Sequence, residues 1–428
     1  MTTLPTTLQK KFTINIMQPA SLLVLLISLT ALDFITEFIL DYLNLKYQKS
    51  ELPDELKGIY NEEEYKKSQD YLKANSKFGF ISSTLNFIVV VAVLSTGTLG
   101  HLEEALRGSA DNSILEGLFF FGILFIASDI FNLPFSIYNT FVIEEKFGFN
   151  KTTVKTFIVD KLKSYLLTAI VGGLILGFLL WLIIRLDHNF WIYFWIFISL
   201  FLLVVNMFYT SLIVPLFNKL VPLGEGELRE SIENYSKKNK FSLTNIFVID
   251  GSKRSSKANA FFSGIGPRKK IVLYDTLINN HSKEELVAVL AHEVGHYKKK
   301  HVITGLIVSI VQVGLMLFIL SLLVFNPNIS YALGDDQLSI PLNLVAFGIL
   351  YSPISHITGL IMNVISRKHE YEADAFAAKT SASIELQNAL KKLSVDNLSN
   401  LTPHPAYVFM HYSHPPLLER LRELKKYK

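Results

Sequence analysis

The sequence predicts an α-helical polytopic membrane protein with seven transmembrane helices and a small cytoplasmic α+β lobe. Half of the 428 residues are hydrophobic and 32 are Phe, while only 18% are charged, a balance that water-soluble chains of this length rarely have. Seven apolar runs match or approach the length of about 20 residues that a helix needs to cross a bilayer. Between the fifth and sixth runs, residues 219–301 turn polar and carry short β-branched and aromatic stretches, the pattern of strands.

The polar segment 1–16, with Lys10 and Lys11, leads into a first span at 17–40. No small-residue cleavage site accompanies it, so it reads as an uncleaved anchor. Residues 41–77, rich in Glu and Lys, read as a solvated helix, and 78–100 as the second span. The third, 114–137, carries Asp129, which either lines a wet intramembrane space or pairs with a neighbouring helix, since a carboxylate facing lipid is costly. Residues 141–152 read as a connector. Spans four and five, 165–184 and 190–216, are parted only by 185–189 and must be antiparallel neighbours. In the polar stretch that follows, 246–249 and 270–274 read as strands. A sixth span covers 302–325. The seventh, 341–365, is interrupted by Pro353 and holds His356 and Asn363. The rest is polar and ends in Lys425 and Lys426, a pattern shared with endoplasmic-reticulum retention signals. The chain thus divides at 1–218, 219–301, 302–365 and 366–428.

Charge sets the expected orientation. Loops after spans one, three and five and the tail after span seven are Lys-rich, whereas those after spans two, four and six hold Arg107, Arg185 and no basic residue. The positive-inside rule then places the amino terminus outside and the carboxyl terminus in the cytoplasm. The net charge of +4 comes from this asymmetry, and no basic stripe interleaved with aromatics marks a nucleic-acid surface. With no cysteine, disulfides, thiolate ligands and cysteine nucleophiles are excluded, so any metal is held by His and carboxylate.

The chemistry concentrates in the lobe, at His292-Glu293-Val294-Gly295-His296. Glu284 to Ala291 is strongly helical, and Ser282 with Glu285 makes a capping box for it. On that helix His292 and His296 are i and i+4, so both rings can reach one Zn²⁺, with Glu293 beside it as the base for a metal-bound water. Gly295 leaves room for another element to approach. A third ligand is available in 366–374, which offers His369, Glu370, Glu372 and Asp374. Glu370 and Asp374 share a face, so one can bind metal while the other orients a ligand histidine; Glu372 points elsewhere. Both segments adjoin the same membrane face, one before span six and one after span seven.

These residues resemble the type 1 CAAX prenyl protease family of integral-membrane zinc metalloendopeptidases. The likeness extends to Val142-Ile143-Glu144-Glu145-Lys146, to Ser366-Arg367, to Glu370-x-x-Ala373-Asp374 and to the terminal Tyr412–Arg420 run. It implies one Zn²⁺ per chain held by His292, His296 and Glu370, with Glu293 as general base and Asp374 orienting a ligand histidine. It implies that Asn259 and Ala260 sit on an edge strand that pairs with substrate, and that His414 and Arg420 reach the site. It also implies that the helices enclose a water-filled chamber, with a zincin-like lobe, and that the partners are a peptide or protein substrate, prenylated in the family, and the lipid bilayer. Composition favours a bacterial cytoplasmic membrane, with the endoplasmic reticulum the location in a eukaryote. In a cell without prenylated proteins the same chemistry would serve membrane-protein quality control. A non-catalytic chamber or transport protein with structural zinc is the reading from another class; a structural site has no use for Glu293.

Overall fold

The computed structural model describes residues 17–427, apart from 50, 53–56, 58–60, 242–244 and 265–269. The segment 1–16 and the last residue of the basic tail lie outside the described residues. Among those described, five helical stretches are long and apolar enough to cross a membrane, or six if one bent pair counts as a single span. Few of their residues are buried, and Val24, Leu174, Leu200 and Val311 expose more than half of their surface, as helices bordered by lipid do.

The first is α1 (Pro19–Lys46). α2 (Glu62–Ser95) joins the charged segment and the second apolar run into one continuous helix, begun by a capping box of Asn61 and Glu64. No proline lies between them, and the one glycine at the junction, Gly79, sits within the helix without breaking it, so the helix continues out of the apolar layer into its charged end. A short α3 (Thr98–Leu106) follows. α4 (Ser113–Tyr138) runs into a π-helical turn, Asn139–Glu144. The stretch read as a connector is therefore a packed element: Ile143, Phe147 and Phe149 are buried against Leu398, Tyr71 and Phe78. α5 (Val154–Leu167), a π turn and α6 (Gly173–Leu186) form one long rod. Asp187, at φ 49°, reverses the chain into α7 (Phe190–Leu212) and α8 (Val214–Phe217). Phe178 meets Phe194 and Phe197 across this turn, so the two rods are the expected antiparallel neighbours.

The lobe is a four-stranded sheet in the order β1-β2-β4-β3, with β1 (Leu220–Pro222), β2 (Asn245–Ile249), β3 (Ala260–Ser263) and β4 (Lys270–Tyr274). β2 and β4 are parallel; β1 and β3 are antiparallel to their neighbours, which leaves β3 on an edge. β2 and β4 are the strands read from the residues; β3 was expected only through the resemblance, and β1 was not foreseen. Ile271, Leu273, Leu277, Leu290 and Val294 are buried together as its core, beside α9 (Glu227–Lys238), α10 (Asp275–Asn280) and α11 (Lys283–Lys298).

α12 (His301–Leu323) and α13 (Pro327–Ala332) precede the bent pair. That pair is α14 (Ile340–Leu350) and α15 (Ser352–Thr380), angled 49° apart; Pro353 sits in the first turn of α15, where a missing N–H is tolerated. α15 leaves the apolar layer unbroken and carries residues 366–374 into the lobe. α16 (Ser383–Asp396), α17 (Pro405–His411) and α18 (Leu417–Leu424) close over it.

Ion pairs tie loops together in two groups. Arg107, after α3, donates from Nη2 to both Asp335 oxygens at 2.7 and 2.9 Å, joining the connections after the second and sixth apolar runs. At the other end, Arg254 of the lobe is bidentate to Asp160 at 2.7 and 2.8 Å, and Asn44 of α1 accepts from Asn400 and from the His404 N–H. Within the apolar layer Asp129 pairs with Lys161 at 2.8 Å and with Tyr165, and His356 with Asp33 at 3.2 Å. Asn363 donates to the Met410 carbonyl at 2.6 Å.

Candidate active site

α11 starts at the foreseen capping box, in which the Ser282 hydroxyl accepts from the Glu285 N–H and the Glu285 carboxylate accepts from the Ser282 N–H. Its buried residues include Leu290, Ala291, His292, Val294 and Gly295, so the helix is held nearly all round. The tightest approach is to α15. A Cβ on Gly295 would lie 3.0 Å from Ala373 Cα and 3.1 Å from its carbonyl oxygen, which explains why a glycine faces an alanine where the two helices touch.

That approach brings the three expected ligands together. One donor atom each from His292, His296 and Glu370 falls within a 4.8 Å cluster. The two Nε2 atoms are 3.1 Å apart; Glu370 Oε2 is 3.4 Å from His292 Nε2, and Oε1 is 3.2 Å from His296 Nε2. Glu370 Oε2 is buried and makes no hydrogen bond. A buried carboxylate oxygen that makes no hydrogen bond, 3.4 Å from the His292 imidazole and from the Arg420 guanidinium, is a costly arrangement for a protein interior, and a divalent cation would resolve it. The donor set, two His and one carboxylate with a further position open, is that of hydrolytic zinc sites.

The rings are oriented from behind. Asp374 Oδ1 lies 2.8 Å from His292 Nδ1, so Nδ1–H donates to the carboxylate and Nε2 keeps its lone pair for the metal. Asp374 in turn accepts two hydrogen bonds from Arg420, at 2.8 and 2.6 Å. Arg420 Nη1 is also 3.4 Å from Glu370 Oε2, so this buried guanidinium joins both carboxylates. His296 is held by a route that sequence spacing could not reveal. Its Nδ1 is 3.1 Å from His301 Nδ1, and His301 Nε2 is 3.1 Å from Glu372 Oε2. With Glu372 accepting from His301, the chain assigns the proton between the rings to His296 Nδ1. Lys300, at φ 61°, folds the chain back between the two helices, and an i+5 histidine beyond a helix end carries no periodic signal. Glu372, read as pointing elsewhere, thus supports His296 through His301.

Burial opposes protonation of His292, but the Asp374 and Glu370 carboxylates outweigh it and push its pKa up to about 9. Burial would raise Glu370, yet the adjacent His292 and His296 imidazoles, with the Arg420 guanidinium, hold it well below the carboxylate range. The cluster therefore demands positive charge, which a metal ion supplies in place of a proton. Burial is also what raises Glu293 above an ordinary carboxylate, against the two histidines, the direction that suits a base working near neutral pH. Arg420 is the reverse: burial lowers its pKa, but Asp374 more than compensates and it stays charged.

The cluster opens into a cavity of about 930 Å³, lined by Glu293 and by Asn259, Ala260 and Phe262 of the sheet edge. His414 reaches it from the loop before α18, with its Nε2 3.3 Å from Glu370 Oε1 and its side chain largely exposed. All nine residues singled out from the sequence therefore lie in or directly behind one cavity. Glu144, given no role from the sequence, is tied to the same edge: Lys257 Nζ donates to it at 2.9 Å, and Tyr71 bonds both.

Residues 41–219 match the family model described as CAAX prenyl protease N-terminal, five membrane helices, and residues 222–428 match Peptidase family M48. The Arabidopsis thaliana CAAX prenyl protease 1 homolog is 37% identical over 381 residues, covering 87% of this chain and 90% of that one. CAAX prenyl protease 1 of Saccharomyces cerevisiae is 35% identical, covering 89% of each, and the Homo sapiens homolog 34%, covering 88% and 89%. The crystal structure of S. mikatae Ste24p superposes with a TM-score of 0.89 at 34% identity, over 94% of this chain and 99% of that one. With the ligand cluster, the apolar helices and both halves of the chain accounted for, this protein belongs to the CAAX prenyl protease 1 group of peptidase family M48 and is a multi-pass membrane metallopeptidase.

Proposed function

We propose that this chain is a zinc endopeptidase that cleaves near the carboxyl terminus of prenylated, membrane-associated peptides, with one Zn²⁺ held by His292, His296 and Glu370. The observation that carries the reading is Glu293 on the cavity side of that cluster, where a structural metal site would have no base. Zinc, when bound there, lowers the pKa of a coordinated water toward about 7. Glu293 would take a proton from the water whose oxygen attacks the scissile carbonyl and would pass it to the amine nitrogen as the C–N bond breaks. Asp374 and the His301–Glu372 pair hold the ligand rings in the tautomer that binds metal. Arg420 fixes Asp374, and His414, exposed on the cavity, is placed to donate to the oxyanion. Asn259 and Ala260, at the free edge of the sheet, would pair with an extended substrate backbone.

The same reading extends to the whole molecule. Counting the α5–α6 rod and α7 as two spans, and α14–α15 as one bent span, gives seven helices. Asp129, His356 and Asn363 then face a wet chamber between them, and the lobe is of zincin type. The Lys-rich ends group with the lobe, which supports a cytoplasmic carboxyl terminus, an outside amino terminus and a metal site on the cytoplasmic side. Composition keeps a bacterial cytoplasmic membrane as the proposed location, although the relatives named above are eukaryotic. Quality-control cleavage without prenyl specificity is the second reading, and one comparison separates the two. Purified protein should cleave a farnesylated peptide ending in Cys-aliphatic-aliphatic-X at least about tenfold better, in kcat/KM, than its unprenylated twin, the equivalent of about 1.4 kcal/mol. Equal rates would favour quality control.

A further inference from the structure

The free edge of the sheet is shorter than the strand that forms it. The Tyr274 N–H donates to the Asn259 carbonyl at 3.1 Å, and Ala260 stands opposite Leu273. Bonded pairs alternate along an antiparallel ladder, so Asn259, Phe261 and Ser263 direct their backbone groups to β4. Ala258, Ala260 and Phe262 face outward, and the Ala260 N–H donates to the Asn259 side-chain Oδ1 at 2.8 Å, a local bond that an entering peptide carbonyl would have to displace. Ala258 is already paired: its N–H donates to Asn397 Oδ1 at 3.1 Å, and its carbonyl accepts from Asn397 Nδ2 at 3.2 Å. A primary amide carries a donor and an acceptor side by side, so one side chain fills a rung that a peptide backbone would otherwise occupy.

Asn397 is held in place by an arrangement with its own cost. It is the residue that ends α16. The next residue, Leu398, adopts φ 47°, in the left-handed region that favours glycine after a helix. Leu398 and Ser399 return their N–H groups to Val395 and Ser394, and Leu398 is buried among Ile143, Phe147 and Phe149. α16 itself is pinned to the metal-bearing helix, since Lys392 Nζ donates to Glu285 Oε2 at 2.8 Å. The amide is therefore fixed relative to both the sheet edge and the ligand cluster, and it lines the same cavity.

We propose that Asn397 is the end stop of substrate pairing, a positioning residue that confines an incoming peptide to two rungs, at Phe262 and Ala260. The proposal rests on the edge-strand reading above. A peptide laid antiparallel to β3, the better aligned of the two directions, runs its carboxyl-terminal residues toward Ala258. It meets Asn397 there and leaves the edge. Asn397 thus sets where backbone pairing stops on the side beyond the cleaved bond, and with it the register of the peptide over the metal.

The test is a scan of farnesylated CAAX peptides, each N-methylated at one backbone nitrogen, against detergent-purified wild type and Asn397→Ala. In wild type, methylation should impair cleavage at positions two residues apart that face the edge, and be neutral at the next outward position toward the carboxyl terminus. In Asn397→Ala that position should become sensitive, with kcat/KM falling about tenfold, the effect of one unmade hydrogen bond in a desolvated site. Asn397→Ser, too short to span both Ala258 groups, gives the same readout should the alanine variant not accumulate. An unchanged pattern in the variants, with or without lowered thermal stability, would overturn the end stop and leave the edge-strand reading standing. A wild type indifferent to methylation everywhere would overturn both.

Discussion

At the scale of single residues, the site is a set of charges that balance only when complete. Asp374 is buried, orients His292 and is neutralised by Arg420. Asp374→Asn keeps the shape but turns one of the two acceptor oxygens into a donor, so it can no longer accept from both Arg420 and His292 Nδ1–H, and metal affinity should fall about 10- to 100-fold, measured by competition with a chelator; unchanged affinity would remove Asp374 from the account. Arg420→Met leaves that carboxylate buried without its partner and should cost about 3–5 kcal/mol at neutral pH. The pH dependence follows from the sign. Burial raises the Asp374 pKa, but Arg420 and His292 win and hold it below its ordinary 3.8. Its stabilisation is therefore complete above 3.8 and is lost as pH falls through the lower folded value. The stability gap between wild type and Arg420→Met should accordingly narrow in acid, and a gap that widened would contradict the pairing.

At the scale of elements, the site exists because two helices distant in sequence touch at a glycine. Gly295→Val would drive a branched side chain into Ala373 and should destabilise the lobe by about 1–3 kcal/mol, with metal content falling alongside, read by thermal unfolding and metal analysis. Retention of both would mean that the contact yields more easily than its geometry indicates. The elements also mark the limit of what the sequence discloses. The capping box at Ser282, the i,i+4 pair on α11 and the shared face of Glu370 and Asp374 are local and periodic, so they were legible. His301 and Asn397 owe their positions to left-handed residues, Lys300 and Leu398, that break the period just where the side chain matters. Glu144 and Lys257 meet only because a π turn and a strand edge are brought together in space, and neither composition nor spacing records that.

At the scale of the whole molecule, the path of the apolar helices does the assembling. The end of the seventh apolar run lies beside the start of the sixth, so α15, continuing past its apolar part, delivers Glu370 to His292 and His296. The apolar runs were readable from hydropathy, whereas their true lengths were not, because α2 and α15 continue past the apolar layer as single helices. Orientation can be measured cleanly, since the natural chain has no cysteine. A cysteine placed at Asp336 should react with an impermeant maleimide added to intact cells, and one at Lys66 only after permeabilisation; the reverse pattern would invert the topology. The central claim, that Glu293 activates a water on a metal held by His292, His296 and Glu370, is met most directly by a single comparison. Wild type and Glu293→Gln are purified side by side, with bound zinc and hydrolysis of a farnesylated CAAX peptide measured on each. The account predicts about one zinc per chain in both and cleavage by wild type alone. A Glu293→Gln protein that keeps its zinc and still cleaves at the wild-type rate would contradict it.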